Sequence, residues 1–336
     1  MLRAELTLAY AAARRSVALV DVSEHGWLRV TGRDRLDFLQ RLSTNDLRGL
    51  AAGGGLPTVL CSATGRMIAL LVVLAGEEVL FARTAPEQKQ SVARYLEGLI
   101  FWGDEVEIAD ASAEVMQIGL FGPGATPALN ALAGKPLDEI APYGWTHATI
   151  AGEELVVQRG GSLELANWTL VAPAAHGEGA RAALQRIGPA LDKAELESLR
   201  IESGIPSWGS ELGEQATPLE TGLEDAIATS KGCYTGQEVI ARQLNYDKIT
   251  RRLVGLNLAE TAETAGLAGA PVRVAGSRNG YVGSATWSPL LRRSIALAVV
   301  PRDAATPGGT VTVLRGDEEI AATVAQLPFV TRQRGE

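Results

Sequence analysis

Cysteine is nearly missing: Cys61 and Cys233 are the only two in 336 residues. Two distant thiols cannot build a disulfide framework, so a reducing compartment is the default. Histidine is as scarce, and His25, His147 and His176 lack the spacing of a zinc site, so no metal ligands are expected. G-x-S-x-G does not occur, and Gly53-Gly54-Gly55 lacks the strand, helix and lysine of a phosphate loop. Long apolar runs are missing too. The most apolar stretch, Met67 to Ala75, falls far short of the ~20 residues that span a bilayer. The start, M-L-R-A-E-L-T-L-A-Y, carries a glutamate and no apolar core, so no targeting segment is read and a cytoplasmic location is expected. Positive charge is in deficit, with 31 Lys and Arg against 39 Asp and Glu, a net charge of -8. That excludes a global attraction to nucleic acid or to an anionic membrane. The pairs Arg251-Arg252 and Arg292-Arg293 are small basic spots that a solvated face explains.

What is present is an ordinary globular composition, 46% hydrophobic and 21% charged, long enough for two or three domains. Residues 1–20 read as helix. Residues 26–32 alternate like a strand, and Thr31 with Asp34 resembles a capping box for a helix over 33–42 that stops in S-T-N-D. Residues 56–62 and 66–75 read as buried strands, 86–98 as a helix and 106–109 as a strand. A second unit of similar type follows, with strands at 115–123 and 167–172, a hairpin around A-G-E, and helices at 180–187 and 193–202. After Arg251 only short strands and Gly, Pro and Asn-Gly turns remain, which reads as a small antiparallel β-barrel or sandwich. No short-period repeat is seen.

The stretch K-G-C-Y-T-G-Q-E (231–238) holds one of the two thiols. Thr235 and Glu238 form a capping-box pattern for a following helix, which would set Cys233 two residues ahead of the N-cap. A helix start and Lys231 both favour a thiolate; Glu238 and burial oppose it. The alternative is a small buried hydrophobe.

Two motifs precede it, L-R-I-E-S-G-I-P (199–206) and T-P-L-E-T-G-L (217–223), making three with the thiol stretch itself. Together they resemble the glycine-cleavage T-protein superfamily, and K-G-C-Y-T-G-Q-E resembles its YgfZ-type folate-binding branch. S-T-N-D-L (43–47), Ala63 to Val73, Gly283, Ser288-Pro289, I-A-L-A (295–298) and L-P-F (327–329) extend the resemblance over the whole chain. It implies an α+β, three-domain cloverleaf: two α+β (ferredoxin-like) domains and a C-terminal antiparallel β-barrel around a central, folate-sized hole. The implied boundaries are 1–50 with 135–245 for a discontinuous first domain, 51–134 for an inserted second, and 246–336 for the barrel.

The resemblance also implies the site. Tetrahydrofolate, or a one-carbon derivative, is the expected cofactor, and Glu202 matches the pterin ligand, one carboxylate accepting from a ring N–H and an exocyclic amine. Trp27 stacks on the heterocycle or packs at a domain seam. Asn45 lines the hole or caps the preceding helix, and Tyr234 donates into the pocket or packs as core. Gln237, Glu238 and Arg242 belong to the same expected folate surface, Arg242 meeting a glutamate tail or pairing with Glu238 at i, i+4. Cys233 and Lys231 are the expected chemical pair. Aminomethyltransferases of this family carry an aspartate on the strand after the G-x-hydrophobic segment. Here the matching positions are Ala69 and Leu70, with no acid between Cys61 and Glu77. The resemblance therefore favours a folate-binding protein that supports iron–sulfur cluster assembly or repair and dependent tRNA modification, with iron–sulfur proteins as partners. The alternative is a tetrahydrofolate-dependent aminomethyl- or methyltransferase. Four thiolates usually hold a cluster, and the chain has two cysteines without C-x-x-C, so Cys233 would give one ligand or exchange with a partner thiol.

Overall fold

A computed structural model describes residues 7–175, 177–259, 262–275 and 277–331, so His176 lies outside the described residues. The chain divides into two compact units. Of the described residues, one comprises Leu8–Leu191 with Asp225–Gln237; the other comprises Asp192–Glu224 and 238–331.

The first unit holds two five-stranded antiparallel sheets. One has the order β3-β4-β5-β2-β6, built from β2 (Gly26–Thr31), β3 (Gly55–Cys61), β4 (Met67–Ala75), β5 (Val79–Thr84) and β6 (Glu107–Asp110). The other has the order β1-β7-β10-β9-β8, built from β1 (Ala18–Asp21), β7 (Val115–Phe121), β8 (Trp145–Ile150), β9 (Glu153–Arg159) and β10 (Trp168–Pro173). Helices α1 (Leu8–Arg15), α2 (Arg35–Leu42), α3 (Lys89–Glu97), α4 (Ala125–Ala133) and α5 (Glu178–Gln185) complete the unit. Leu28, Val30, Leu39, Leu71, Val73 and Ala82 pack in one sheet's core, and Leu19, Ile118, Leu120, Leu155, Val157 and Trp168 in the other's. A third cluster, Trp27, Val72, Leu74, Tyr143, Trp145 and Val171, joins the two sheets.

Sheet pairing joins strands that lie far apart in sequence. β2 lies beside β5 and β6, and β7 lies beside β1 and β10. The sheet of β2 to β6 spans 26–110. Compositional breaks such as Gly53–Gly55 mark loops, whereas sheet membership depends on partners far away in sequence. β5, not read from the sequence, supplies the central strand of the nested sheet. The expected helix over 1–20 is interrupted after Arg15, where the apolar run Ala18–Val20 enters a sheet as β1.

The two sheets share one plan. β2-α2-β3-β4-β5 and β7-α4-β8-β9-β10 occupy matching places, and β1 stands beside β7 where β6 stands beside β2. The strand-to-helix turn is the same in both, with Gly32 at φ 99° and Gly122 at φ 97°. A Cβ on Gly32 would lie 2.0 Å from the Glu105 carbonyl oxygen, and one on Gly122 2.5 Å from that of Ser16. Only glycine tolerates both that φ and that approach.

The second unit is a closed barrel, β11-β14-β13-β12-β15-β16, from β11 (Arg251–Leu258), β12 (Pro271–Val274), β13 (Ser277–Ser288), β14 (Arg293–Pro301), β15 (Thr310–Arg315) and β16 (Glu318–Ala325). Val254, Leu256, Leu258, Ala296, Ala298, Val300, Ile320, Ala322 and Val324 alternate into its interior. The other face of β14 buries Ile295 and Leu297 against Ile201 of α6 (Lys193–Glu202). Helix α7 (Gln237–Asn245) runs in this unit from Glu238 on.

Candidate functional site

The thiol stretch is held by the turn that ends α2. Thr44 Oγ1 donates to the Ala226 carbonyl at 2.6 Å, and the Ala228 N–H donates to the Thr44 carbonyl at 3.0 Å. Asn45 Nδ2 donates to the carbonyls of Pro57 (2.8 Å) and Asp225 (3.0 Å), while its Oδ1 accepts the Asp46 N–H. S-T-N-D is thus a socket for residues 225–228, and both ends of the Asn45 amide serve the backbone.

Lys231 closes the socket. Its Nζ donates to the carbonyls of Gln40 (2.7 Å), Ser43 (2.6 Å) and Asn45 (2.6 Å), so all three ammonium donors are used. It also lies 5.3 Å from the centroid of the Tyr234 ring. Burial draws its pKa down to about 8, against the pull of Asp46. At pH 7 it is still charged, a cation at the C-terminus of a helix. Tyr234 is buried, which raises its phenol to about 12. Between these two inward anchors, Cys233 points outward and is exposed.

Gly236 seats the far end of the loop. At φ 84° its Cα faces the β3–β4 turn, and a Cβ there would lie 2.6 Å from the Ser62 carbonyl oxygen and 3.1 Å from Cys61 Cβ. Cys61 is buried, and burial pushes its thiol up to about 12, so it is inert as a thiolate. The following helix starts at Gln237, with Thr235 and Gly236 in a turn before it. The expected cap at Thr235 gives way to the positive-φ glycine, and Cys233 sits four residues before the first helical residue.

The remaining expected residues scatter. Trp27 is 3% exposed, and its ring stacks on Phe81 at 4.9 Å, so it is part of the inter-sheet core. Gln237 is half-buried; Glu238 and Arg242 are exposed and make no ion pair with each other among the described residues. On β4, Ala69 is fully buried in the core and Leu70 is half-buried on the opposite face.

Glu202, by contrast, is fully buried at the end of α6. Ser288 Oγ donates to its Oε1, and its carbonyl accepts the Val330 N–H at 2.9 Å. The same motif supplies Arg200, whose Nη2 reaches Glu197 (2.5 Å) and Ser284 Oγ (2.7 Å) and whose Nη1 lies 3.4 Å from buried Glu211. In P-L-E, Glu220 closes a capping box with Thr217 and accepts from Arg251 at 2.9 Å. The two glutamate motifs are therefore both interior.

One buried polar knot escaped the sequence reading. Arg83 Nη1 donates to Gln158 Oε1 (2.6 Å) and Thr169 Oγ1 (3.2 Å) and pairs with Glu164 at 2.7 Å. Burial, with the Arg83 charge second, lowers the pKa of His25 to about 4, so that imidazole is neutral. Recognising V-L-F-A-R-T as a strand would have put Arg83 on the face of Phe81, toward the seam. Among the described residues no three His, Cys, Asp or Glu side chains are grouped as metal ligands, and no helix is long and apolar enough to cross a membrane.

With this geometry in hand, comparison with known proteins places the chain. Residues 5–231 match the GCVT N-terminal domain, and 251–331 match the glycine cleavage T-protein C-terminal barrel domain. The chain belongs to the glycine-cleavage T-protein family, whose members use tetrahydrofolate as substrate or cofactor. A chloroplastic putative transferase of Arabidopsis thaliana is 32% identical over 94% of this chain and 72% of its own. An aminomethyltransferase of Exiguobacterium sibiricum is 30% identical over 97% and 89%, and one of Moorella thermoacetica 31% over 96% and 88%. The crystal structure of the glycine cleavage system aminomethyltransferase T of Bartonella henselae superposes with a TM-score of 0.85 at 22% identity, covering 98% of this chain and 91% of that one. That likeness fixes the α+β T-protein fold with its closed six-stranded barrel.

Proposed function

We propose that this chain is a YgfZ-type member of its family: it binds a tetrahydrofolate through Glu202 and supports iron–sulfur cluster assembly or repair, and the tRNA modification that depends on it, through Cys233. The observation that carries the reading is the outward thiol of Cys233, held between the inward anchors Lys231 and Tyr234. A loop built this way presents sulfur to something outside the unit. The cluster would be cargo, with Cys233 giving one ligand or exchanging with a partner thiol. Glu202 supports the folate part because it stands in the motif that resembles the family's pterin site, and a carboxylate can accept from both a ring N–H and an exocyclic amine.

The relatives named aminomethyltransferases favour a second reading, transfer of a one-carbon unit to tetrahydrofolate. The acid-free strand β4 weighs against it, since Ala69 and Leu70 can neither orient the attacking amine nor offset its developing charge.

Calorimetry of tetrahydrofolate against the reduced protein tests the reading. Micromolar binding, about -8 kcal/mol, is expected. Glu202→Gln should weaken it at least tenfold, because one acceptor becomes a donor. Cys233→Ala should leave the affinity unchanged while abolishing cluster-dependent enzyme activity in cells that rely on this chain. No folate binding sinks the folate part, and unaltered cells sink the thiol part. Production of methylenetetrahydrofolate from an aminomethylated carrier would favour the second reading.

A further inference from the structure

The loop between α3 and β6 carries two aromatic side chains that the fold does not use. Trp102 is 104% exposed and Phe101 is 69% exposed. A large apolar pair left in water on a loose loop would signify little. This loop is pinned. Asp104 Oδ2 accepts the Phe101 N–H at 2.8 Å and pairs with Arg41 at 2.5 Å, while the Asp104 N–H returns to the Phe101 carbonyl at 3.0 Å. Asp34 Oδ2 accepts the Glu105 N–H at 2.9 Å, the Asp34 N–H donates to the Glu105 carbonyl at 3.2 Å, and Arg33 pairs with Glu105 at 3.2 Å. Two rigid aromatics projecting from a fixed backbone bind at low entropic cost, which is the make-up of an interface hot spot.

The position of the loop adds to this. Arg41, which holds Asp104, follows Gln40, whose carbonyl receives Lys231. The last turn of α2 therefore carries both the aromatic loop and the exposed thiol loop. The surrounding charge selects the occupant. Arg33 and Arg41 are neutralised by Glu105 and Asp104. Exposed Asp37, Glu97 and Glu107 have no ion pair among the described residues and outnumber exposed Arg94 in the same condition.

We propose that Phe101 and Trp102 are the docking knob for a partner protein whose binding face is an apolar pocket ringed by basic side chains. The acidic rim disfavours an anionic membrane as the occupant and repels a second copy of this acidic chain. The proposal rests on the preceding reading only for what the partner does at Cys233, and not for whether it docks.

The test places the photo-cross-linking residue p-benzoylphenylalanine at position 102 of the full chain in cells, then titrates the captured protein, once purified, against variants. The expected result is one heteromeric cross-linked species, whose yield falls at least tenfold with Glu97→Lys and Glu107→Lys. The purified partner should bind Trp102→Ser at least tenfold more weakly than the unaltered chain, with unchanged circular dichroism and thermal melting as proof of folding. Cys233→Ser should keep the cross-link even where it abolishes function, so failure of the knob and failure of the thiol reading are distinguishable. The proposal is overturned by no cross-linked species, by one of twice the chain's own mass, by a yield indifferent to charge reversal, or by a captured protein with an acidic face. Trp102-dependent flotation with phosphatidylcholine–phosphatidylglycerol vesicles would also overturn it.

Discussion

Glu220 carries a charge that its surroundings are built to keep. Arg251, Thr250 Oγ1 and the Thr217 N–H all donate to it, and their effect outweighs burial, leaving its pKa below the ordinary value of 4.5. A carboxyl depressed on folding adds stability above its unfolded pKa, and that stability is lost as pH falls through the folded value. Glu220→Gln should therefore destabilise the protein by about 3 kcal/mol at pH 7, the scale for one partner of a buried pair, and should flatten the acid limb below pH ~4.5. Urea denaturation at pH 7 and pH 3.5 checks both statements. Lys231→Met should strand three carbonyls at the end of α2, at about 1–3 kcal/mol each where they stay dry. Its expected signature is local: faster amide exchange over 225–236 and a changed alkylation rate at Cys233, with exchange in the barrel strands unchanged. At this scale the sequence left two readings open for several residues, and distant contacts distinguish them. Asn45 and Trp27 lie where the motif reading looked for ligands, yet the Asn45 amide is consumed by Pro57 and Asp225 and the Trp27 ring by Phe81. Which hydrogen bonds a side chain spends inside the fold is a matter of distant partners.

Among elements, the matching turns of β2–α2 and β7–α4 make a paired prediction. Gly32→Ala and Gly122→Ala should each cost more than about 2 kcal/mol, since each adds a Cβ into a carbonyl at positive φ. Thermal melts check the cost, and Gly103→Ala is the contrast: it shares a positive φ but has nothing near its Cβ, so its penalty should be smaller. One offset of about 90 residues carries β2-α2-β3-β4-β5 onto β7-α4-β8-β9-β10 (Gly26 to Val115, Gly55 to Trp145), but β6 follows its sheet-mates whereas β1 precedes them, so the fifth strand of each sheet falls outside that offset. Caps were misread. The expected box set the cap at Thr31 with Asp34 inside the helix; Thr31 instead ends β2, Asp34 takes the cap position before α2, and its carboxylate turns to the Glu105 N–H, leaving the helix without a side-chain cap. The full capping boxes are Asp192 with Glu195 and Thr217 with Glu220.

Over the whole molecule, the barrel was the most legible part. Its strands alternate with period two, its turns are rich in Gly and Pro, and each strand pairs with others from the same stretch of chain. The nested sheets were less legible, because β1 pairs with β7 across all five strands of the other sheet, which lie between them in sequence. The same discontinuity governs the thiol loop. Residues 225–237 belong to the two-sheet unit, while the residues on both sides belong to the barrel unit. Protein synthesis must then deliver both sheets of the first unit by Leu191 and the Lys231 side chain only later. At ordinary rates of 5–20 residues per second the interval is roughly 2–8 s. Throughout it the carbonyls of Gln40, Ser43 and Asn45 await their donor, so the loop that bears Cys233 is set in place only after both sheets of its unit have been made.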